Sequence, residues 1–221
     1  MRAEQLGTVV AAAMDDLRSS RDELRALDAA IGDGDLGITV AEGARAVAAA
    51  LRGDDVPTQV SGVLRCVARA FAAANPSTIS ALVAGGLLAA ARAIGDREDL
   101  DREGALQVLD AAVASIRSRG GAELGDKTIL DALVPSGVAL ASAAADPLAA
   151  LGAMTAAART GIEQTTPLRS ARGRAAWVGE RSIGHPDGGA TACLRLLESL
   201  QRVWPQPTQP RPDAVSVASP S

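Results

Sequence analysis

The sequence predicts an all-α protein, and three observations support this fold class. Alanine, the residue with the highest helix propensity, dominates a composition that is 48% hydrophobic. Short runs of β-branched or aromatic residues that alternate with polar ones, which are typical of strands, are nearly absent. Apolar residues recur instead at helical spacing in about eight segments. Eight helices joined by short connections favour an antiparallel bundle or barrel.

Glycine, proline and small polar residues set the predicted helix boundaries. Pro57 and Pro147 suit a first helical turn. The Gly120-Gly121 pair ends a helix, and Pro135 should kink the helix that contains it. The predicted helices run from about 3 to 30 with a bend at 19–20, 36 to 52, 57 to 74, 78 to 95, 101 to 119, 126 through 135, 147 to 166, and 188 to 204.

The chain is predicted to form one domain followed by a tail. Residues 1–204 hold all the predicted helices, and this length is ample for one sizeable core. Residues 205–221 are rich in proline and serine, a composition that cannot bury enough apolar surface to fold. This segment is therefore predicted to be disordered.

The composition excludes several classes of function. One Phe, two Trp and no Tyr argue against a surface that stacks nucleic-acid bases, and the net charge of −4 argues against non-specific binding to nucleic acid. The sequence shows no signal peptide and no apolar run as long as a membrane span, so we expect a cytoplasmic protein without membrane contact. One His and two Cys make a zinc site improbable and exclude a disulfide framework.

Three carboxylates lie close together in the connection before the second predicted helix. Asp28, Asp33 and Asp35 are separated by only a few residues, and glycines flank the last two. Carboxylates this close repel one another unless water solvates them or a cation neutralises them. Magnesium binds such oxygen ligands, whereas an EF-hand is excluded because Ala44 stands where the loop needs its final Glu. The cluster is therefore either a magnesium site or a solvated turn.

Three further connections are polar or rich in glycine. Residues 75–78 have the pattern of a helix N-cap, which could also offer hydroxyl and amide groups to a phosphate. Residues 119–131 resemble a P-loop only superficially, because Asp126 interrupts the required spacing and no strand precedes it. Residues 171–190 form a connection that is long for a compact helical domain, and its arginines suit phosphate oxygens.

Three motifs, in order along the chain, resemble the L subunit of dihydroxyacetone kinase. They are Asp28-x4-Asp33-Gly34-Asp35-x-Gly37, Gly125-Asp126-Lys127-Thr128-x2-Asp131-Ala132-Leu133-x-Pro135, and Gly173-Arg174-Ala175-x3-Gly179-Glu180-Arg181-Ser182-Ile183-Gly184-His185-x-Asp187-x-Gly189-Ala190. The resemblance extends from about residue 5 to residue 203. Three motifs in the correct order are far more specific than any one alone.

The resemblance implies an eight-helix antiparallel α-barrel with a magnesium and nucleotide site, for ADP or ATP, in the loops at one end. Asp28, Asp33 and Asp35 would ligate two Mg²⁺ ions that bridge the phosphates. The implied nucleotide contacts are Leu36, Gly37, Ile38, Thr39, Ser77, Thr78 and Arg174 at the phosphates, Gly120 and Ile129 at the adenine, and Asp187, Gly188 and Gly189 closing over the nucleotide. No catalytic side chain is implied.

The resemblance also implies a function and partners. The chain would be the nucleotide-binding subunit of a two-part kinase for dihydroxyacetone (glycerone) or a related short ketose. It would be active only with a K subunit that carries the ketose. The phosphoryl donor would be either free ATP or a phosphotransferase of the DhaM type that recharges bound ADP. A homodimer or a hetero-oligomer is expected.

Two positions depart from the family pattern. Leu36 stands where the family usually has His, and residues 75–80 stand where it has a Gly-Gly-Ala-Ser-Gly loop. Neither change removes a metal ligand, so we expect nucleotide binding to be retained. The departures leave open a non-catalytic binding or regulatory module as an alternative. A helical bundle without a nucleotide site is the third interpretation.

Overall fold

The computed structural model describes residues 1–53 and 55–205, and this part of the chain is helical, as predicted. A 3-10 turn, Arg18–Ser20, joins α1 to α2, so these two segments form one bent helix and the prediction of eight helices is confirmed for the described residues. Of the predicted tail, 205–221, all but Pro205 lies outside the described residues. The helices are α1 (Ala3–Leu17), α2 (Arg21–Ile31), α3 (Leu36–Leu51), α4 (Val60–Ala74), α5 (Thr78–Ile94), α6 (Arg102–Gly120), α7 (Leu130–Ser142), α8 (Pro147–Thr165) and α9 (Gly188–Val203).

Two helices begin later than the sequence predicts. α4 begins at Val60 rather than at Pro57, because the amide of Val60 donates to the carbonyl of Arg97 at 2.9 Å and the preceding residue is extended. α7 begins at Leu130 rather than near residue 126. Gly125 and Lys127 have φ angles of 93° and 63°, in the left-handed region, and a right-handed helix cannot pass through them.

The helices form a closed antiparallel ring. Each packs on the next along the chain, and α9 packs on α1 to complete the barrel. Glycines allow the closest approaches between helices. A Cβ on Gly43 of α3 would lie 2.4 Å from the ring of Phe71 in α4. A Cβ on Gly161 of α8 would lie 1.9 Å from the carbonyl oxygen of Asp131, which Pro135 cannot bond because it has no amide hydrogen.

Alternate connections lie at opposite ends of the barrel, because neighbouring helices run antiparallel. At what we call the closed end, the amide of Ala3 donates to the carbonyl of Glu98 and the amide of Leu100 donates to the carbonyl of Met1, both at 2.8 Å. What we call the open end carries the connections 32–35, 75–77, 121–129 and 166–187. Among the described residues, no helix has both the length and the apolar character needed to cross a membrane.

Candidate functional site

A cavity of about 370 Å³ lies at the open end of the barrel. All four connections of that end contribute residues to its lining, so no single loop forms it. The helices α3, α5, α7 and α9 all begin at this end, and the first residues of these helices or their caps line the cavity. Helix N-termini carry partial positive charge and free amide groups, so four of them around one cavity favour a negatively charged ligand.

Three carboxylates stand at one side of this cavity. Asp28 lies in the last turn of α2, and Asp33 and Asp35 follow in the turn that leads to α3. A set of ligand oxygens, one from each side chain, lies within 4.8 Å of one another. Gly34, at φ 78°, lets the chain turn between the last two acids. Burial, and then the charge of Asp28, raise the pKa of Asp35. This set of hard oxygen donors fits Mg²⁺.

Arg174 reaches the acid cluster from the long connection 166–187. Its guanidinium donates to a carboxylate oxygen of Asp33 and, at 3.3 and 3.4 Å, to one of Asp35. The guanidinium thereby supplies positive charge where the three acids repel one another. The two partners are separated from Arg174 by about 140 residues in sequence. Only the closure of the barrel brings these groups together.

Part of the wall of the cavity is apolar. Ile79 and Leu82 of α5, Ile116 of α6, and Ile129 line it. A wall of aliphatic side chains beside a polar region suits a flat heterocycle that carries a charged group. Arg119, at the end of α6, also lines the cavity. The site therefore has an apolar half and a charged half.

Two acids, the buried Asp131 and the half-buried Asp187, shape the loops behind the cavity. The Asp131 carboxylate accepts hydrogen bonds from the amides of Gly125, at 2.6 Å, and Thr128, at 2.8 Å, and so fixes the turn before α7. Asp187 caps α9 by accepting from the amide of Ala190 at 2.7 Å. Burial raises the pKa of Asp187 to about 6, and the charge of Asp131 adds to the rise, whereas the Ala190 amide and the Lys127 ammonium oppose it.

Comparison with known proteins identifies the family. Residues 30–202 match the DAK2 domain. The chain belongs to this family. The resemblance that the three sequence motifs predicted is therefore confirmed.

Three similar proteins place this DAK2 domain among kinases. It is 30% identical to the Escherichia coli "PEP-dependent dihydroxyacetone kinase, ADP-binding subunit DhaL", over 84% of this chain and 90% of that one. It is 35% identical to the L-erythrulose 1-kinase of Mycolicibacterium smegmatis, over 80% of this chain but only 32% of that one. The native dihydroxyacetone kinase of C. freundii superposes with a TM-score of 0.73 at 25% identity, over 90% of this chain and 34% of that one. That kinase has also been solved with AMP-PNP and Mg²⁺. The chain thus spans about a third of the longer kinases and most of the separate subunit.

The cavity of the DAK2 domain brings together most of the residues that sequence reasoning selected. Asp33 stands in the acid cluster but not in the lining itself. The selected residues that line the cavity are Asp28, Asp35, Leu36, Ser77, Thr78, Gly120, Ile129, Arg174, Asp187, Gly188 and Gly189.

Besides Asp33, three selected residues lie outside the lining. Gly37 faces α2, where a Cβ would lie 2.1 Å from the carbonyl oxygen of Arg21. Thr39 is buried in the barrel, and Ile38 lies in an outer groove beside arginines of the 3-10 turn 18–20, α2 and α3. Successive residues of a helix are about 100° apart around its axis, so four in a row cannot all face one cavity.

The two departures from the family pattern have visible structural outcomes. The Leu36 side chain is buried and contacts the start of α9, where a Cβ on Gly188 would lie 2.6 Å from its Cδ2. An apolar contact between α3 and α9 therefore replaces the usual polar side chain. In the altered loop, Ser77 caps α5 by accepting from the amide of Ser80 at 3.2 Å.

Sequence reasoning gave no role to Lys127, Asp131 or Arg119. Lys127 is the only lysine among the 22 Lys and Arg residues of the chain. This contrast is the sequence signal that could have identified it. Its side chain is only 1% exposed. Burial lowers the pKa of Lys127, and the charge of Asp187 opposes this effect.

Proposed function

We propose that this DAK2 domain binds a magnesium–adenine nucleotide at its open end and is the nucleotide-binding subunit of a two-part ketose kinase. One observation carries the proposal: three clustered carboxylates and four helix N-termini meet around one cavity. Helix N-termini attract a polyphosphate, and carboxylates would repel it unless cations stood between them. A magnesium–nucleotide complex satisfies both requirements.

The residues present suit each part of such a ligand. Asp28, Asp33 and Asp35 would hold two Mg²⁺ ions, which supply charge neutralisation for the transferring phosphoryl group when bound. The phosphates would lie against the starts of α3, α5 and α9, at Leu36, Ser77, Thr78 and the segment 187–189, with Arg174 as a further cationic group. Gly120, Ile129 and the aliphatic wall would hold the adenine.

The acceptor would come from a partner subunit. The chain matches a separate ADP-binding subunit of a dihydroxyacetone kinase over 90% of that subunit, so we assign the ketose to a K subunit docked at the open end. A hydroxyl oxygen of the ketose would attack the terminal phosphorus, and the bond from phosphorus to the bridging oxygen of the nucleotide would break. Dihydroxyacetone and erythrulose, which occur in the names of the similar kinases, are the acceptors to test first.

The phosphoryl donor and the assembly are part of the same proposal. The donor is either ATP that exchanges at each turnover or a DhaM-type phosphotransferase that recharges bound ADP, and the same metal ligands serve both. The assembly is a homodimer of this domain or a hetero-oligomer with the K subunit.

A phosphorylation assay tests the proposal. The purified chain with ATP and Mg²⁺ should not phosphorylate dihydroxyacetone or erythrulose, whereas addition of a K subunit, with or without a phosphotransferase and its donor, should start the reaction. Asp28→Asn should abolish that activity. Asp146→Asn is the matched control, because Asp146 only caps α8 at the closed end and Asn caps a helix equally well.

Two outcomes would contradict the proposal. Ketose phosphorylation by the chain alone would contradict the two-part mechanism. Binding of Mg·ADP without transfer in the presence of any K subunit would favour the alternative, a non-catalytic binding or regulatory module.

A further inference from the structure

The connection 166–187 leaves the barrel, reaches the acid cluster and returns. Its outer part, residues 169–181, which we call the excursion, carries the 3-10 turn Arg174–Ala176 and most of a second one, Gly179–Ser182. Trp177, beyond Arg174, is 87% exposed, so few contacts hold the tip in place. The orientation of Arg174 over the acids must therefore depend on how the two ends of the excursion are held.

A single ammonium group holds both ends. Nζ of Lys127 donates to the carbonyl oxygens of Thr166, at 2.9 Å, and Leu168, at 2.8 Å, where the excursion begins. It also donates to the carbonyl oxygen of Ser182, at 2.6 Å, where the excursion ends. These three bonds use all three hydrogens of the ammonium. Among the residues that the structure describes, no carboxylate accepts a hydrogen bond from Nζ, so all three of its bonds go to the backbone of this connection.

The local backbone turns Lys127 inward at some cost. Its φ of 63° is uncommon for a residue with a side chain. The buried Asp131 maintains this conformation by binding the amides of Gly125 and Thr128 on either side. A compact ammonium with three freely arranged donors suits three converging carbonyls, whereas the planar fork of arginine does not. This explains why the one lysine of an arginine-rich chain stands here.

Weaker contacts supplement this clamp. The amide of Ser170 donates to Oγ of Ser182 at 2.9 Å, across the base of the excursion. The amide of Gly184 donates to the carbonyl of Thr166 at 2.9 Å. Asp126 contacts the excursion twice: its carbonyl accepts from the amide of Ala171 at 3.1 Å, and its carboxylate forms an ion pair with the half-exposed Arg172 at 3.2 Å. Lys127 is thus the buried and central element of the clamp.

We propose that Lys127 is a positioning residue: its ammonium clamps the base of the excursion, so that Arg174 stands at the acid cluster and strengthens the binding of Mg·nucleotide. This inference rests on the proposed function. It differs from a purely structural role, in which Lys127 would stabilise the barrel and affect ligand binding independently of Arg174.

A double-mutant cycle separates the two roles. Calorimetric titration with Mg·ADP would be performed on wild type, Lys127→Met, Arg174→Gln and the double variant. Methionine keeps the length of the side chain and removes the charge. Since loss of a supporting contact at a metal site costs about 10-fold to 100-fold in affinity, we expect about a 10-fold rise in Kd for Lys127→Met. In the Arg174→Gln background the same substitution should have no further effect. Equal effects in both backgrounds would overturn the inference.

A second readout requires no ligand. In a Trp204→Phe background, Trp177 is the only tryptophan of the chain. Its fluorescence anisotropy should fall when Lys127 is replaced by Met, because the tip of the excursion gains freedom, while the helical circular dichroism stays unchanged. An anisotropy equal to that of the parent protein would contradict the clamp.

A milder variant keeps the proposal testable if Lys127→Met does not fold. Ser182→Ala removes the bond that Oγ accepts from the amide of Ser170 and the bond that it donates to the carbonyl of Gly179, and it leaves the ammonium in place. It should raise the Kd by less than about 10-fold, and again only when Arg174 is present. Failure of the wild type to bind Mg·ADP would refute the proposed function, whereas binding with additive effects would refute only the role of Lys127.

Discussion

The two ends of the barrel differ in the burial of the side chains that hold their connections. At the closed end, backbone pairs such as that between Ala3 and Glu98 join the connections, and the side chains that help them, Asp101 and Arg102, are exposed. At the open end, buried side chains hold the backbone: Asp131 binds two amides of one loop, and Lys127 binds three carbonyls of another. Backbone pairs tolerate many side chains, whereas each side-chain anchor depends on one residue type. We therefore expect substitutions at the open end to impair function more than substitutions at the closed end do.

The largest expected effect on stability comes from the substitution of a glycine near the open end. Gly161→Ala places a Cβ 1.9 Å from the carbonyl oxygen of Asp131, so α7 and α8 must separate. Overpacking of this kind lowers the free energy of unfolding by about 3 kcal/mol. Gly7→Ala, toward the closed end, is the control: its nearest neighbour is 4.0 Å away, and alanine should stabilise α1 by about 0.5–1 kcal/mol. Urea denaturation measures both, and equal stability of the two variants would contradict the packing described.

Substitution of Asp131, one of the side chains that hold the loops of the open end, should cause a smaller loss of stability. Asp131→Asn keeps one acceptor and turns an NH₂ group toward the second amide, which costs about 2 kcal/mol because a buried donor is left unpaired. Asp101→Asn is matched to it at the closed end, where asparagine still caps α6 and only the exposed ion pair with Arg97 is lost, so the loss should stay below about 1 kcal/mol. Thermal denaturation of the two variants compares the ends directly, and equal losses would remove the distinction between them.

The titration of Asp187 should change the stability by a similar or smaller amount. Burial raises its pKa from 3.8 to about 6, so the folded state favours the protonated form. Its contribution to stability is fully present below the unfolded pKa and is lost as the pH rises through the folded one. We expect the free energy of unfolding of the wild type to fall by up to about 2 kcal/mol between about pH 4 and pH 7, relative to Asp187→Asn. A constant difference between the two proteins across this range would refute the shift.

The smallest effect on stability, with a large effect on binding, should come from Asp33→Asn. Within the described part of the chain, Asp33 forms an ion pair only with Arg174, and both side chains are about half exposed, so the melting temperature without ligand should stay within experimental error. The increase in melting temperature caused by Mg·ADP should nearly disappear, because it depends on Kd. A variant that melts early without ligand yet keeps the full wild-type increase would contradict the metal assignment.

The sequence predicts the parts of this molecule that depend on local spacing. Helix boundaries follow from proline, glycine and capping residues, and the acid cluster follows from acids that lie within one turn-rich segment. The resemblance could not show which of residues 37–39 face the cavity, because the direction that each helical side chain takes depends on how the neighbouring helix packs.

Long-range anchors could not be predicted in the same way. Lys127 bonds to residues 39 to 55 positions away, and Arg174 reaches acids about 140 positions away. Such partners meet only once the barrel is closed. The later start of α7 has the same origin, since the left-handed backbone at Lys127 is stabilised by Asp131 and by contacts with the distant connection.

One titration tests the central claim, that the open end is a metal-dependent nucleotide site. ADP would be titrated into the wild-type protein by calorimetry, once with Mg²⁺ and once with EDTA. The account predicts one ADP bound per chain with Mg²⁺ and at least a 10-fold weaker Kd with EDTA, because the carboxylates then repel the phosphates. Equal affinity under the two conditions, or no binding under either, would contradict it.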